Sequence, residues 1–126
     1  MTKAITSALN VGELAAGQVL SVPLFTFKGT DNRAPTVYVQ ANVHGAEVQG
    51  NAVIYQLMTL LENCHVLGDI VFAPLANPLG INQKSGEFTL GRFDPITGVN
   101  WNREYLDHKI DIAAWYKQHQ DLPNDE

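Results

Sequence analysis

Apolar and polar positions along the chain change period several times, and each change marks an element. Residues 18–28, QVLSVPLFTFK, concentrate Val, Leu and Phe and read as a strand, with Pro23 favouring an edge position. The stretch before them is weakly patterned. Gly29, Thr30, Asp31 and Asn32 supply a turn, and TVYVQANV at 36–43 is again β-rich, so the two runs are predicted to pair as a hairpin. From 47 to 63 the period lengthens: Val48, Ala52, Val53, Leu57, Leu60 and Leu61 fall on one face at helical spacing. Gly68 closes the connection, and DIVFAPLAN at 69–77 is a nearly continuous apolar run, the pattern of a strand covered on both faces.

Strand, helix, strand in that order is a βαβ unit, which makes a right-handed crossover in a parallel sheet. The carboxyl ends of strands 36–43 and 69–77 then share one rim, the place where open α/β sheets bind ligands. HGAE follows the first of these strands and a long loop beginning NPLG follows the second. That loop, from Asn77 to about Asn102, holds Pro78, Gly80, Gly86, Gly91, Pro95 and Gly98; connections of such length are functional or disordered. A final helix is predicted near 103–119, with Leu106, Ile110, Ala113 and Ala114 on one face, before a polar tail, DLPNDE. The fold class is therefore α/β, a mixed sheet with a βαβ unit and helices packed on it.

Composition narrows the partners. The 126 residues are 45% hydrophobic and 17% charged, which fits one soluble domain. A net charge of −5 with both signs mixed along the chain leaves no basic stripe, so nucleic acid is not an expected partner. Cys64 is the single cysteine, which excludes an internal disulfide and favours a reducing compartment. Residues 1–20 are interrupted by Asn10, Gly12, Glu13 and Gly17 and lack a signal-peptide core, and no apolar run is long enough to span a bilayer. A cytoplasmic location without membrane attachment is the expectation.

His44 and Glu47, three positions apart across a strand-to-helix turn, let an imidazole and a carboxylate converge above the sheet rim. Zinc accepts both donor types, and catalytic sites use three protein ligands with a fourth position open. Gly45 permits the tight backbone between them. A structural explanation stands beside this one: Glu47 in the first turn of a helix is favoured by the helix dipole alone. Arg103 has a similar alternative, an ion pair with Asp107, and Arg92 that of a solvated loop residue. His65 reads as a helix-terminal cation or a solvated residue, Cys64 as a packing residue, and His108 and His119 as polar helix positions. Asp94 before Pro95 reads as a turn residue, and Trp101 as either a pocket wall or a covering aromatic.

HGAEVQG, ANPLGIN and GRFDPITGVNWNREY, in that order and on those elements, resemble the zinc carboxypeptidase clan, and within it the succinylglutamate desuccinylase/aspartoacylase family. The resemblance covers roughly residues 36–105. It implies a partial zinc-carboxypeptidase-like (phosphorylase/hydrolase-like) fold, with zinc held by His44 and Glu47. It implies further that Asn102 and Arg103 hold the substrate carboxylate and that Arg92 steadies the scissile carbonyl oxygen. Arginine suits such work because its planar fork grips a carboxylate with two charge-assisted hydrogen bonds. The third zinc ligand of the family, a His on a later strand, and its general base, a Glu further on, find no match here, since His108 and His119 follow Arg103 too closely.

The expectation is a single, incomplete, amino-terminal portion of a zinc-dependent hydrolase of amide bonds next to a free carboxylate. Its substrate would be a small N-acyl amino acid or a peptide, and the portion itself is expected to be inactive. The alternative is a non-catalytic α/β module that binds a carboxylate ligand or a partner chain. An unpaired sheet edge would favour self-association or a complementary fragment.

Overall fold

The computed structural model describes residues 3–105 and Lys117. Of the helix expected near 103–119 the described residues include 103–105, which are not helical, and Lys117, which is; the rest lies outside them. His108, His119 and the partner proposed for Arg103, Asp107, lie outside them too.

The chain begins with a hairpin, though not the expected one. Ile5–Glu13 (β1) and Val19–Phe27 (β2) pair antiparallel, with a register shift between Asn10 and Gly12. The turn between them is closed by the Gly17 amide, which donates to the Leu14 carbonyl over 2.8 Å. Val37–Gln40 (β3) does not pair with β2. Between them comes Ile70–Ala73 (β4), antiparallel to β2 and parallel to β3, so the sheet order is β1-β2-β4-β3. The turn residues at 29–32 therefore lead into a strand placed one position further across the sheet, and β4, the most continuous apolar run, fills the gap. Pro23 fits this arrangement because only Phe25–Phe27 of β2 pair with β4; Pro23 lies beyond that span, opposite Ala8 of β1.

β3, the helix Gln49–Leu61 (α1) and β4 make the expected βαβ unit with a parallel strand pair. The helix buries a different stripe from the one predicted. Ile54 is 2% exposed and packs with Phe27, Ala41 and Phe72, with Met58 and Leu61 against the same cluster, whereas Val48, Val53, Leu57 and Leu60 are exposed. Gly50 decides the choice: a Cβ there would stand 2.9 Å from the Ala41 side chain, so this side of the helix approaches the end of β3. Ile54, Met58 and Leu61 follow it at four- and three-residue steps. Phe27 and Phe72 meet edge to face at 6.1 Å between centroids. Each fully buried side chain of this kind contributes about 1.5–3 kcal/mol relative to exposure.

Among the described residues no helix is long and apolar enough to cross a membrane. Cys64, expected to pack, is exposed, its thiol on the Leu60 carbonyl at the end of α1.

The two faces of α1 are separable by measurement. Ile54→Ala should lower unfolding free energy by about 2–5 kcal/mol, as large-to-small core changes do, whereas Leu60→Ala should stay within about 0.5 kcal/mol. Urea denaturation of both variants gives the comparison, and equal midpoints would mean that the helix is seated on its other face.

Candidate metal-binding site

The segment after β3 is held by buried amides. Asn42 adopts φ 60°, a left-handed conformation that Asn tolerates better than most residues. Its Nδ2 donates to the carbonyls of His44 (2.9 Å), Gly45 (3.2 Å) and Glu47 (3.3 Å). Asn77, at the end of the other parallel strand, receives the Gly80 amide on Oδ1 at 2.7 Å, capping the one-turn helix Pro78–Ile81 (α2), and donates from Nδ2 to the Val43 carbonyl at 2.8 Å. Two asparagines thus fold HGAE into a compact turn and tie it to NPLG.

A closer constraint comes from the backbone. The Gly45 amide donates to the Gly91 carbonyl over 2.8 Å, and a Cβ on Gly45 would stand 2.2 Å from the Gly80 carbonyl oxygen. Gly91, at φ 65°, would place a Cβ 2.1 Å from the same oxygen. Three main-chain segments therefore meet with no room for a side chain at the contact.

From Arg92 to Trp101 the long loop is a small hairpin. The Asp94 amide donates to Val99 O (2.8 Å), the Trp101 amide to Arg92 O (3.2 Å), and Phe93 bridges Asn100. Asp94 makes the turn: its Oδ1 accepts from the amides of Ile96 and Thr97 at 2.9 and 2.7 Å. The Thr97 amide is the main reason its carboxyl is held below the usual range. Lys84–Ser85 (β5) and Phe88–Thr89 (β6) form a second, shorter pair just upstream. What reads as a loop in sequence is two hairpins, and the second presents Arg92 on one arm and Asn100 on the other.

These elements bring four side chains together. His44 is 5% exposed, with Nδ1 3.0 Å from Glu47 Oε2 and Nε2 2.8 Å from Asn100 Oδ1. Arg92 Nη1 donates to the other oxygen of Glu47 at 3.2 Å. A cavity of about 590 Å³ opens beside them, lined by His44, Glu47, Gln83 and Arg92 among others, and Gln83 Nε2 is buried there without a partner. Glu47 does not serve the helix. It precedes α1, whose first turn holds no acidic residue and whose N-cap, Val48, makes no side-chain cap.

The donor set suits a metal in part. Two ligands about 2.0–2.1 Å from a tetrahedral zinc stand roughly 3.3 Å apart. His44 Nδ1 and Glu47 Oε2 are 3.0 Å apart and would need only a small separation. No third His, Cys, Asp or Glu joins them among the described residues.

Asn102 and Arg103 do not line this cavity. The Asn102 amide nitrogen donates to Asn100 Oδ1 at 2.9 Å and its side-chain oxygen accepts from Tyr105, while the Arg103 guanidinium rests on the Asn102 carbonyl. Half-buried Trp101 lines a separate apolar cavity of about 370 Å³. His65 is exposed, its Nε2 3.2 Å from Thr30 Oγ1, remote in the fold from His44. Sequence reasoning missed Asn42 and Asn100; a buried Asn at a strand end and another two positions before the Asn-Arg pair carry no signal without coordinates.

The succinylglutamate desuccinylase/aspartoacylase catalytic domain matches residues 33–112, more than half of the chain and all of the site above. The chain belongs to this family. Solved structures of the family agree with the assignment. A protein of this family from Shewanella frigidimarina NCIMB 400 is 76% identical over 98% of this chain, with a TM-score of 0.81. A family protein of Shewanella amazonensis SB2B is 70% identical over 94%, with a TM-score of 0.77. An aspartoacylase family protein of Mesorhizobium loti is 28% identical over 82%, with a TM-score of 0.59. The chain spans about a third of the length of these relatives: 33%, 32% and 30%. No curated protein matches it. The family's partial zinc-carboxypeptidase-like α/β fold is thereby established for this chain.

In this family member the three-way glycine contact should be measurable. Gly45→Ala pushes backbone against backbone and should destabilise by at least the roughly 1–3 kcal/mol of an overpacked core. Gly12→Ala, with nothing within 4 Å of the added Cβ, should be near neutral. Equal urea midpoints for the two variants would show that the site loops are not locked as described.

Proposed function

We propose that this chain carries the His-Glu half of a zinc site in a hydrolase that cleaves amide bonds next to a free carboxylate, as an N-acyl amino acid deacylase or a carboxypeptidase does. One observation carries the reading. With His44 Nε2 engaged by an acceptor, a neutral imidazole turns the Nδ1 lone pair toward Glu47 Oε2, 3.0 Å away. Two acceptors at that distance repel unless a proton or a cation lies between them. A divalent metal answers that need with the ligand types zinc prefers, and membership of an amide hydrolase family supports the choice.

Zinc bound there supplies Lewis acidity. The chain's own residues do the rest. Glu47 is held in one plane, because Oε1 accepts from Arg92 while Oε2 faces His44. Arg92 sets a positive charge at the cavity wall, where the oxygen of a substrate carbonyl gains negative charge as the carbonyl is attacked. Arg103 and Asn102 are assigned to the substrate carboxylate. For that task the Arg103 guanidinium must leave the Asn102 carbonyl, a rotation open to an exposed side chain. His44, Glu47 and Arg92 are thus read as metal ligands and carbonyl-stabilising cation, with a further ligand and a general base supplied from outside the described residues.

Metal analysis is the direct test. The purified chain should carry zinc, and His44→Ala should weaken its affinity by more than the roughly 10–100-fold typical of losing an outer-shell partner. Arg92→Ala, which removes no ligand, should retain the metal. Undiminished zinc in His44→Ala would rule the reading out.

A further inference from the structure

We propose that the outer edge of β1 is a self-association surface: two copies of this chain pair their β1 strands antiparallel about a two-fold axis and join their sheets edge to edge. None of the β1 residues lines the cavity beside His44, so the inference stands apart from the zinc reading.

β1 ends the sheet and is paired on one side only, with β2. All nine of its residues are exposed. Every second residue of such a strand turns its N–H and C=O outward, where they form a template for another chain. Folded proteins ordinarily blunt an edge of this kind with proline, with a charge in mid-strand, with a bulge or by keeping the strand short. Between Lys3 and Glu13 there is neither a proline nor a charge. The one irregularity, between Asn10 and Gly12, lies near the far end, where Val11 lines the cavity beside Trp101. Ile5 to Asn10 are left free to pair. β3, the strand at the opposite edge, is only four residues long and is a poorer template.

The occupant follows from the side chains and the charges. Ile5 and Leu9 are four positions apart in a strand, so they share a face, and each is 56% exposed. With the two-fold axis normal to the sheet at mid-strand, Ile5 of one copy comes beside Leu9 of its partner on the same face, and both lose exposure. Lys3 and Glu13 stand at opposite ends, and among the described residues neither makes an ion pair. The antiparallel arrangement brings each Lys3 to the Glu13 end of the other copy, whereas parallel pairing would set like charges together. A second copy is therefore complementary to this edge in its backbone, its apolar side chains and its charges. A single strand edge is a small interface, so association is weak and depends on concentration.

The test is sedimentation equilibrium on the whole chain and on Leu9→Lys, Lys3→Glu, Glu13→Lys and the double reversal Lys3→Glu/Glu13→Lys, each checked for a dispersed amide spectrum. Wild type should approach a dimer as its concentration rises, with β1 amides gaining protection from hydrogen exchange over the same range. Leu9→Lys, which places a charge in mid-strand, should leave a monomer at every concentration. Each single reversal should weaken association about tenfold, because two symmetry-related attractions become repulsions. The double reversal should recover wild-type affinity to within about threefold, a rescue that damage to the fold could not produce. A wild-type chain that stays monomeric throughout, a dimer indifferent to Leu9→Lys, or single reversals left unrescued by the double one would each overturn the proposal.

Discussion

Everything in the site depends on three backbones approaching closer than any side chain allows. The Gly45 amide reaches the Gly91 carbonyl at 2.8 Å, and the Gly80 carbonyl fills the space where a Cβ on either glycine would be. The contact joins the turn after β3, the turn after β4 and the start of the second loop hairpin. His44 and Glu47 ride on the first of these segments and Arg92 on the third. Their convergence therefore follows from main-chain packing at the sheet rim, and the side chains need not attract one another to meet.

Around that contact, polar satisfaction does the fine positioning. Asn42 gathers three carbonyls of the turn, and Asn77 caps α2 while holding Val43. An asparagine suits such places because one side chain both donates and accepts and carries no charge whose burial must be offset. The charged side chains Glu47, Arg92 and Asp94 line the cavity.

The parts of the fold legible in sequence were those that a single period specifies. The apolar run of β4 and the change of period after residue 47 located the βαβ unit and hence the rim. Pairing was not legible, because β-rich runs at 18–28 and 36–43 look alike whether they are neighbours or flank a third strand. β1 escaped notice since its residues are exposed on both faces and leave no alternation to read. The buried face of α1 was ambiguous for the opposite reason: Val53, Ile54, Leu57, Met58, Leu60 and Leu61 surround the helix, and the deciding feature is a missing side chain at Gly50. At the site, the spacing of His44 and Glu47 was readable as chemistry because few residue types bind metals. Asn100 was not readable, because its contact with His44 exists only once a hairpin folds residue 100 back over residue 44.

That difference bears on how the His-Glu pair should be understood. A Glu at the start of a helix ordinarily has a structural explanation in the helix dipole, and here that explanation weakens, since α1 begins at Gln49 and its first turn carries no acid. Each oxygen of Glu47 is instead directed at another element, one at the Arg92 arm of the hairpin and one at the His44 ring. Arg92 neutralises part of the charge from one side without satisfying the oxygen that faces the imidazole. A carboxylate serving only the fold would have both oxygens met by donors. In Glu47 one oxygen is met by a guanidinium and the other faces His44 Nδ1, so a proton or a cation between them completes the pair.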